Sequence, residues 1–342
     1  MAIKALLIST MLATAAISSH LQNAIAQQSY EPTKTQNRLR FSEKKSDAKN
    51  VVYQEWQDTE RDRTIPVKIY LPQSGSAPFP VVIFSHGLGG SREAAVYLGE
   101  YWSKHGYLCV FVQHPGSDSG VWKSAMEGGK QAIFENMKAA ANGRNLVDRG
   151  NDIKFVLSEL EKKNISDGVL KKQLDLTKIA LAGHSFGAGT ALLMAGQSFG
   201  PMGNMKDTRI KAAIYLCPPV GRGKIDPSKT YGDIKIPGLL LTGTEDNSPI
   251  GDTKAEDRRI PFDGIKSTHQ YFINFVGADH AVFGGRSFRP AVSTDDKFHE
   301  MIEQVTANFL DSALRDQAKA TTWLNSNEIT AYLGRAAHFE KK

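Results

Sequence analysis

The chain has 342 residues, 41% of them apolar, with 42 Lys and Arg against 36 Asp and Glu for a net charge of +6. The apolar share excludes a disordered chain, the 30 Gly follow no collagen period, and two Cys cannot form a disulfide scaffold. The positive charge is spread along the chain with no zinc-finger spacing or stacking motif beside it, so no nucleic-acid partner is expected.

The N-terminus reads as an export signal. A basic start at Met1 to Lys4 leads into an apolar core from Ala5 to Ile17, then a polar run. Ala24, Ile25 and Ala26 follow as a small-residue cleavage pattern before Gln27. The expected organisation is a signal peptide over 1–26, a flexible polar linker over 27–50, a catalytic domain over 51–315 and a C-terminal extension over 316–342. Export to the periplasm or the medium follows, and no later window is long and apolar enough for stable membrane insertion.

From Val51 the pattern becomes regular. Val51 to Trp56 and Thr64 to Leu71 alternate like an antiparallel pair, with a charged turn between them. Short apolar runs follow at Pro80–Phe84, Tyr107–Val112, Lys178–Ala182, Ala212–Cys217, Gly238–Leu241 and Tyr271–Val276. Each precedes a helix-like stretch, including Arg92 to His105 capped by Ser91, Asn145 to Lys163, and Lys297 to Leu314 opened by a capping box at Ser293 to Asp296. Continuous apolar strands alternating with helices imply a mostly parallel sheet of about eight strands, covered on both faces. Pro115 to Gly143 interrupts the alternation as a cap-like insertion carrying Trp122 and Phe134, the residues expected to touch substrate. Asn164 to Ser166 fits the three-residue glycosylation pattern, which arises often by chance.

The strongest chemical signal is the run from Gly183 through His184, Ser185 and Phe186 to Gly187. It follows a strand and opens a helix, the context of a G-x-S-x-G nucleophile elbow. Only small flanking residues fit so tight a turn, which lifts the Ser185 hydroxyl clear of the sheet. Such a serine needs a base and an acid, in the chain order Ser, acid, His. Of the histidines after Ser185, His280 stands just past the last strand. His269 precedes that strand, His299 lies in a helix and His338 in the tail. Asp246, beyond the preceding strand, is the expected acid, with Glu245 and Asp252 as alternatives. The oxyanion hole needs two backbone N–H groups: Phe186 directly after the nucleophile, and Leu88 in the Gly-rich loop Ser85 to Gly90. His86 and His114 read as hydrogen-bonding spacers at strand ends.

The Ser85–Gly90 loop, the Gly183–Gly187 elbow and the Gly277–His280 ending together resemble the α/β-hydrolase superfamily. More closely, they are similar to bacterial exported predicted dienelactone hydrolases and plasma-type platelet-activating-factor acetylhydrolases. The resemblance covers residues 51–314. Two departures stand out. Dienelactone hydrolases proper use a cysteine nucleophile where this chain has Ser185. The plasma-type acetylhydrolases place their acid after the strand following the elbow helix, where this chain has Cys217, Pro218 and Pro219. Asp246 is instead the position used by bacterial polyester hydrolases and cutinase-like enzymes.

The activity expected is cleavage of a small-molecule or lipid-like carboxylic ester through an acyl-enzyme, with no cofactor and no metal. An amide or peptide hydrolase using the same three residues, or a catalytically silent binding protein on the same fold, are the alternatives. The sequence does not set the oligomeric state. Cys109 and Cys217, on strands three steps apart in such a sheet at about 4.8 Å per step, are expected to remain free thiols.

Overall fold

The computed structural model describes residues 50–342 apart from 167, 200–202, 222–225, 268 and 286–292. The expected signal peptide over 1–26 and the linker up to residue 49 lie outside the described residues. The strands are β1 (Val51–Asp58), β2 (Arg63–Tyr70), β3 (Phe79–Ser85), β4 (Leu108–Val112), β5 (Leu174–His184), β6 (Ile210–Leu216), β7 (Gly238–Glu245), β8 (Gln270–Asp279) and β9 (Ala337–Lys341). The α-helices are α1 (Val96–Lys104), α2 (Gly120–Lys123), α3 (Gly129–Ala140), α4 (Gly143–Ser166), α5 (Phe186–Ala195) and α6 (Pro227–Tyr231) in the first two thirds. The remainder are α7 (Ile260–Gly264), α8 (His280–Phe283), α9 (Ser293–Arg315), α10 (Ala318–Asn325) and α11 (Asn327–Leu333).

All nine strands form one sheet in the order β1-β2-β4-β3-β5-β6-β7-β8-β9. The central strands β4, β3, β5, β6, β7 and β8 are parallel, whereas β1, β2 and β9 pair antiparallel at the edges. This is an α/β-hydrolase architecture, with one strand more than expected. The ninth comes from the C-terminal extension, where Ala337 to Phe339 pair with Phe275 to Ile273 of β8. It is an edge strand whose only buried position is Ala337, so it carries almost no hydrophobic pattern to read.

The continuous apolar runs exist because successive residues feed two different cores. Val82, Phe84, Ala180, Ala182, Ile214 and Leu239 face Leu98 and Trp102 of α1 and Val305 and Phe309 of α9. Val81, Ile83, Ile179, Leu181, Ala213 and Leu240 face Ile153, Val156 and Leu157 of α4 and Leu192 of α5. With both faces covered, no position in these strands can be polar without finding a buried partner.

Helix α1 starts at Val96, four residues later than its sequence suggests. Ala95 adopts φ 50°, in the left-handed region, and its N–H donates 3.0 Å to the Gly284 carbonyl. A tertiary hydrogen bond to the segment after α8 has replaced the first helical turn. Among the described residues no helix is long and apolar enough to cross a membrane.

Cys109 and Cys217 are both buried and unbridged. Their strands are separated by β3 and β5, which puts them roughly 14 Å apart at three strand spacings, against the roughly 7 Å limit for a disulfide. Denatured, non-reduced protein should therefore react with two equivalents of a thiol reagent, whereas the folded protein should react far more slowly. A denatured sample with no reactive thiol overturns the strand order proposed for this pair.

Candidate active site

Because the central strands are parallel, their carboxyl ends meet along one edge. The register pairs Ser85 with Gly183, His184 with Leu216, and Glu245 with Asp279. Loops leaving those positions are therefore neighbours in space although they are up to 195 residues apart in sequence, from residue 85 to residue 280. Ligands in open parallel sheets bind at this edge for that reason.

Ser185 sits between β5 and α5 with φ 54° and ψ −119°, a strained conformation for a residue with a side chain. Its flanks must be glycine. A Cβ on Gly183 would lie 2.2 Å from the Gly187 carbonyl oxygen, and one on Gly187 would lie 1.9 Å from that of Ser85. The Ser185 N–H donates 2.8 Å to Leu216 at the end of β6, fixing the turn to the sheet.

His280 Nε2 lies 2.8 Å from Ser185 Oγ, and His280 Nδ1 lies 2.6 Å from Asp246 Oδ1. The short Nδ1 contact to a carboxylate puts the ring proton on Nδ1 and leaves Nε2 to accept from the serine hydroxyl. Asp279, immediately before His280, accepts from the N–H groups of Ala281 and Val282 and so caps α8. This cap starts the helix at His280 and sets where its side chain leaves the chain.

Asp246 is fully buried. Its Oδ2 accepts from Thr242 Oγ1 at 2.7 Å, and Arg258 approaches Oδ1 at 3.1 Å. Burial alone would raise its pKa; the hydrogen bond and charge of His280, with the Arg258 guanidinium, outweigh that and hold the carboxyl below its ordinary range. Glu245 and Asp252 are exposed, and neither pairs with His280. His299 on α9 donates through Nε2 to the Val282 carbonyl, and His338 lies on β9 opposite Asn274. His269 precedes β8.

Arg258 carried no sequence signal, since it lies in a charged turn like any surface basic residue. It is 1% exposed and also donates to the Cys217 and Pro218 carbonyls at 3.0 and 2.9 Å. His184, the middle residue of the elbow, donates through Nε2 to the His280 carbonyl at 3.0 Å. One side chain thus joins the nucleophile turn to the histidine loop. His184, Cys217 and His280 bring possible metal-ligand atoms within 4.8 Å of one another. That donor set fits a cation poorly: both His280 nitrogens and His184 Nε2 are already in hydrogen bonds, and a guanidinium nitrogen stands 3.2 Å from His280 Nδ1.

The loop from Ser85 to Gly90 lies against the elbow, close enough that a Cβ on Gly87 would be 3.4 Å from Ser185 Cβ. Among the described residues, neither the Leu88 nor the Phe186 N–H makes a hydrogen bond. Trp122 on α2 is buried and donates through Nε1 to the Gly89 carbonyl at 2.9 Å. Phe134 on α3 is 41% exposed.

Beneath this loop lies a second serine, histidine and aspartate in a row. His114 bridges Ser85 Oγ at 3.0 Å and Asp152 Oδ2 at 3.0 Å, and all three are fully buried. His114 also donates its backbone N–H to His86 Nε2 at 3.1 Å. Both histidines are hydrogen-bonding spacers.

Residues 57–223 match the family model for platelet-activating factor acetylhydrolase, isoform II. The match takes in the Ser85–Gly90 loop and the elbow, whereas Asp246, Arg258 and His280 lie beyond it. Curated relatives named platelet-activating factor acetylhydrolase include the protein of Cavia porcellus, 26% identical over 253 residues, covering 64% of this chain and 54% of that protein. The Bos taurus protein is 25% identical over 244 residues, covering 60% of this chain and 50% of that protein. The chain spans about half the length of these relatives. The similarity to proteins named platelet-activating factor acetylhydrolase thus extends over 60 to 64% of this chain, beyond the motifs alone.

The buried network makes stability depend on pH. Burial, with the nearby Arg149 charge, lowers the His114 pKa from 6.5 to about 4. Between those values the unfolded chain binds a proton that the folded chain does not, so stability falls as pH drops from about 6.5 to about 4. The slope from one such group reaches at most about 1.4 kcal/mol per pH unit. Asp152 and Asp246, both held low, add their loss only below about pH 4. His184, whose pKa burial and the nearby His280 lower to about 3, adds a slope of the same sign. Urea unfolding at pH 6.5, 5.5 and 4.5 should therefore show the sum, and His114→Gln, although less stable, should reduce the slope by about half. An unchanged slope in that variant contradicts the assignment.

Proposed function

We propose that this chain is an exported serine hydrolase that cleaves carboxylic esters with a lipid-like acyl or alcohol group. The observation that carries the reading is the unbroken row of contacts from Ser185 through His280 to Asp246, built on a strained turn at the carboxyl edge of a parallel sheet. The relatives' shared name, an acetylhydrolase, supports an ester as the bond attacked. The signal-peptide pattern read in residues 1–26 supports export.

In this reading Ser185 Oγ attacks the ester carbonyl carbon while its proton passes to His280 Nε2. Asp246 keeps the ring in the accepting tautomer and stabilises the imidazolium as it forms. The carbonyl oxygen, now negative, accepts from the N–H groups of Leu88 and Phe186. As the tetrahedral intermediate collapses, the carbon–oxygen bond breaks and His280 returns its proton to the departing alkoxide. Water then adds to the acyl-enzyme, losing its proton to His280, and the acid leaves as Ser185 regains its own. The insertion over 115–143 supplies the wall nearest the Leu88 loop, with Trp122 and Phe134 on the substrate side.

A panel of p-nitrophenyl esters of increasing acyl length, run beside a matched anilide, tests the bond attacked. Esters should be cleaved and the anilide hardly at all, and Ser185→Ala should fall to background. Cleavage of the anilide alone would favour a peptide or amide substrate, and no turnover with any substrate would favour a binding protein. Trp122→Ala should shift the preferred acyl length, and an unchanged profile removes Trp122 from the substrate wall.

The acid is tested separately. Asp246→Asn should lower kcat by roughly 10³ to 10⁴, in line with the corresponding change in serine proteases. Glu245→Gln should change it only a few-fold. The reverse order would place the acid at Glu245 and leave Ser185 and His280 in their roles.

A further inference from the structure

Arg149 on α4 is fully buried, and among the described residues no carboxylate forms a salt bridge with it. Asp152, one turn along the same helix, is engaged by Arg61, Arg63 and His114 instead. Burial lowers the Arg149 pKa to about 9, with the Asp152 and Asp118 charges opposing, so the group remains a cation at neutral pH. An unpaired buried charge is costly, and an apolar residue of similar size would satisfy the packing.

The guanidinium lies against both segments that carry the proposed oxyanion donors, at the carbonyl of the Gly87–Leu88 peptide and at the Phe186 ring. NH1 donates to the His86 carbonyl at 2.6 Å, and NH2 reaches the Gly87 carbonyl at 3.5 Å. Nε donates to Ser117 Oγ at 2.8 Å, and NH2 donates to the Ser117 carbonyl at 3.3 Å. The guanidinium carbon stands 4.6 Å over the Phe186 ring. The Gly87 carbonyl also accepts from His86 Nδ1 at 2.6 Å and from the Gly90 N–H at 3.0 Å.

The Gly87 carbonyl and the Leu88 N–H belong to one planar trans peptide unit, so they point in opposite directions. Donors that hold the carbonyl inward aim the N–H outward, and this stretch of the loop is where an added Cβ on Gly87 would lie 3.4 Å from Ser185 Cβ. A cation on the carbonyl side also polarises the peptide and strengthens its N–H as a donor.

We propose that Arg149 is a positioning residue for ester hydrolysis, which orients and polarises the Gly87–Leu88 peptide so that the Leu88 N–H receives the oxyanion. The assignment rests on the ester-hydrolase reading of Ser185. Arg149 never touches substrate; it acts through the loop carbonyls and the Phe186 ring.

The test compares Arg149→Met, Arg149→Lys and Ser117→Ala on one good p-nitrophenyl ester, with folding checked by thermal melting. A trifluoromethyl ketone, whose adduct with serine carries the same oxyanion, serves as probe. Arg149→Met should lower kcat roughly 100-fold, the scale of losing one oxyanion donor, with KM changed less than about threefold. Its affinity for the ketone should fall in step with kcat/KM, which a merely structural role would not produce. Arg149→Lys, which keeps the charge without the fork, should lie between it and the native protein. If Arg149→Met does not fold, Ser117→Ala decides, with an expected loss of about tenfold in kcat at unchanged KM. Native kcat in a folded Arg149→Met, or in Ser117→Ala where that variant decides, overturns the proposal. Native protein that cleaves no ester instead overturns the hydrolase reading itself.

Discussion

The closest approach in the site is the one between Gly187 and the end of β3, where a single added carbon would sit 1.9 Å from the Ser85 carbonyl oxygen. That approach clamps the first turn of α5 onto the strand that leads into the Leu88 loop. The two candidate oxyanion donors come from opposite sides of this contact, so their separation is set by backbone packing and not by side-chain rotamers. Preorganisation of this kind is what makes fixed dipoles effective against a developing charge, because no reorganisation accompanies the reaction. The strain at Ser185 belongs to the same arrangement. A φ of 54° persists because the glycines on both sides and the hydrogen bond to Leu216 leave the turn no other course.

The two serine–histidine–aspartate rows share residue types and differ in where their serine stands. Ser85, His114 and Asp152 have contact distances close to those of Ser185, His280 and Asp246. Ser85 is a strand residue, fully buried and paired with Gly183 and Val112. Nothing can reach its hydroxyl, and the row is a way of satisfying polar groups beneath the loop. Ser185 differs in its backbone: the elbow lifts the hydroxyl out of the sheet edge while its partners stay buried behind it. The proposed chemistry requires desolvated partners and a reachable serine together.

Much of this was legible in the sequence because it is local. The elbow announces itself through the small residues its turn requires, and the strands through apolar runs that only a doubly covered sheet can use. Asp246 and His280 follow from chain order once the strands are placed. Arg258, His184 and Arg149 were not legible, and for one reason. Each is held in large part by main-chain carbonyls far away in sequence, 40, 96 and 63 positions off at Pro218, His280 and His86. Any residue type offers a carbonyl, so these pairings leave no pattern in side-chain identity. The start of α1 was hidden in the same way, by the bond from Ala95 to Gly284, and β9 by its exposure at the sheet edge.

The insertion over 115–143 acquires a second role from this geometry. Its position suggests a roof, yet its contacts fall on the loop and not only over the cleft. The Ser117 carbonyl accepts from the Gly89 N–H at 2.9 Å, the Gly89 carbonyl accepts from Trp122, and Gly90 bridges to Asp118. Met137 fills the space that a side chain at Gly89 would occupy, with Cε 2.6 Å from the position of that missing Cβ. Gly89 has φ 69°, so no larger residue would settle there without strain. The loop is thus held by Arg149, by the bond of His86 to Gly87 within it, and by the insertion beside it. A segment that packs on the oxyanion loop cannot change shape without moving Leu88. If the insertion also walls the cleft as proposed, a change in it that alters acyl size would act on rate as well as on binding, because the same residues brace the loop that carries Leu88.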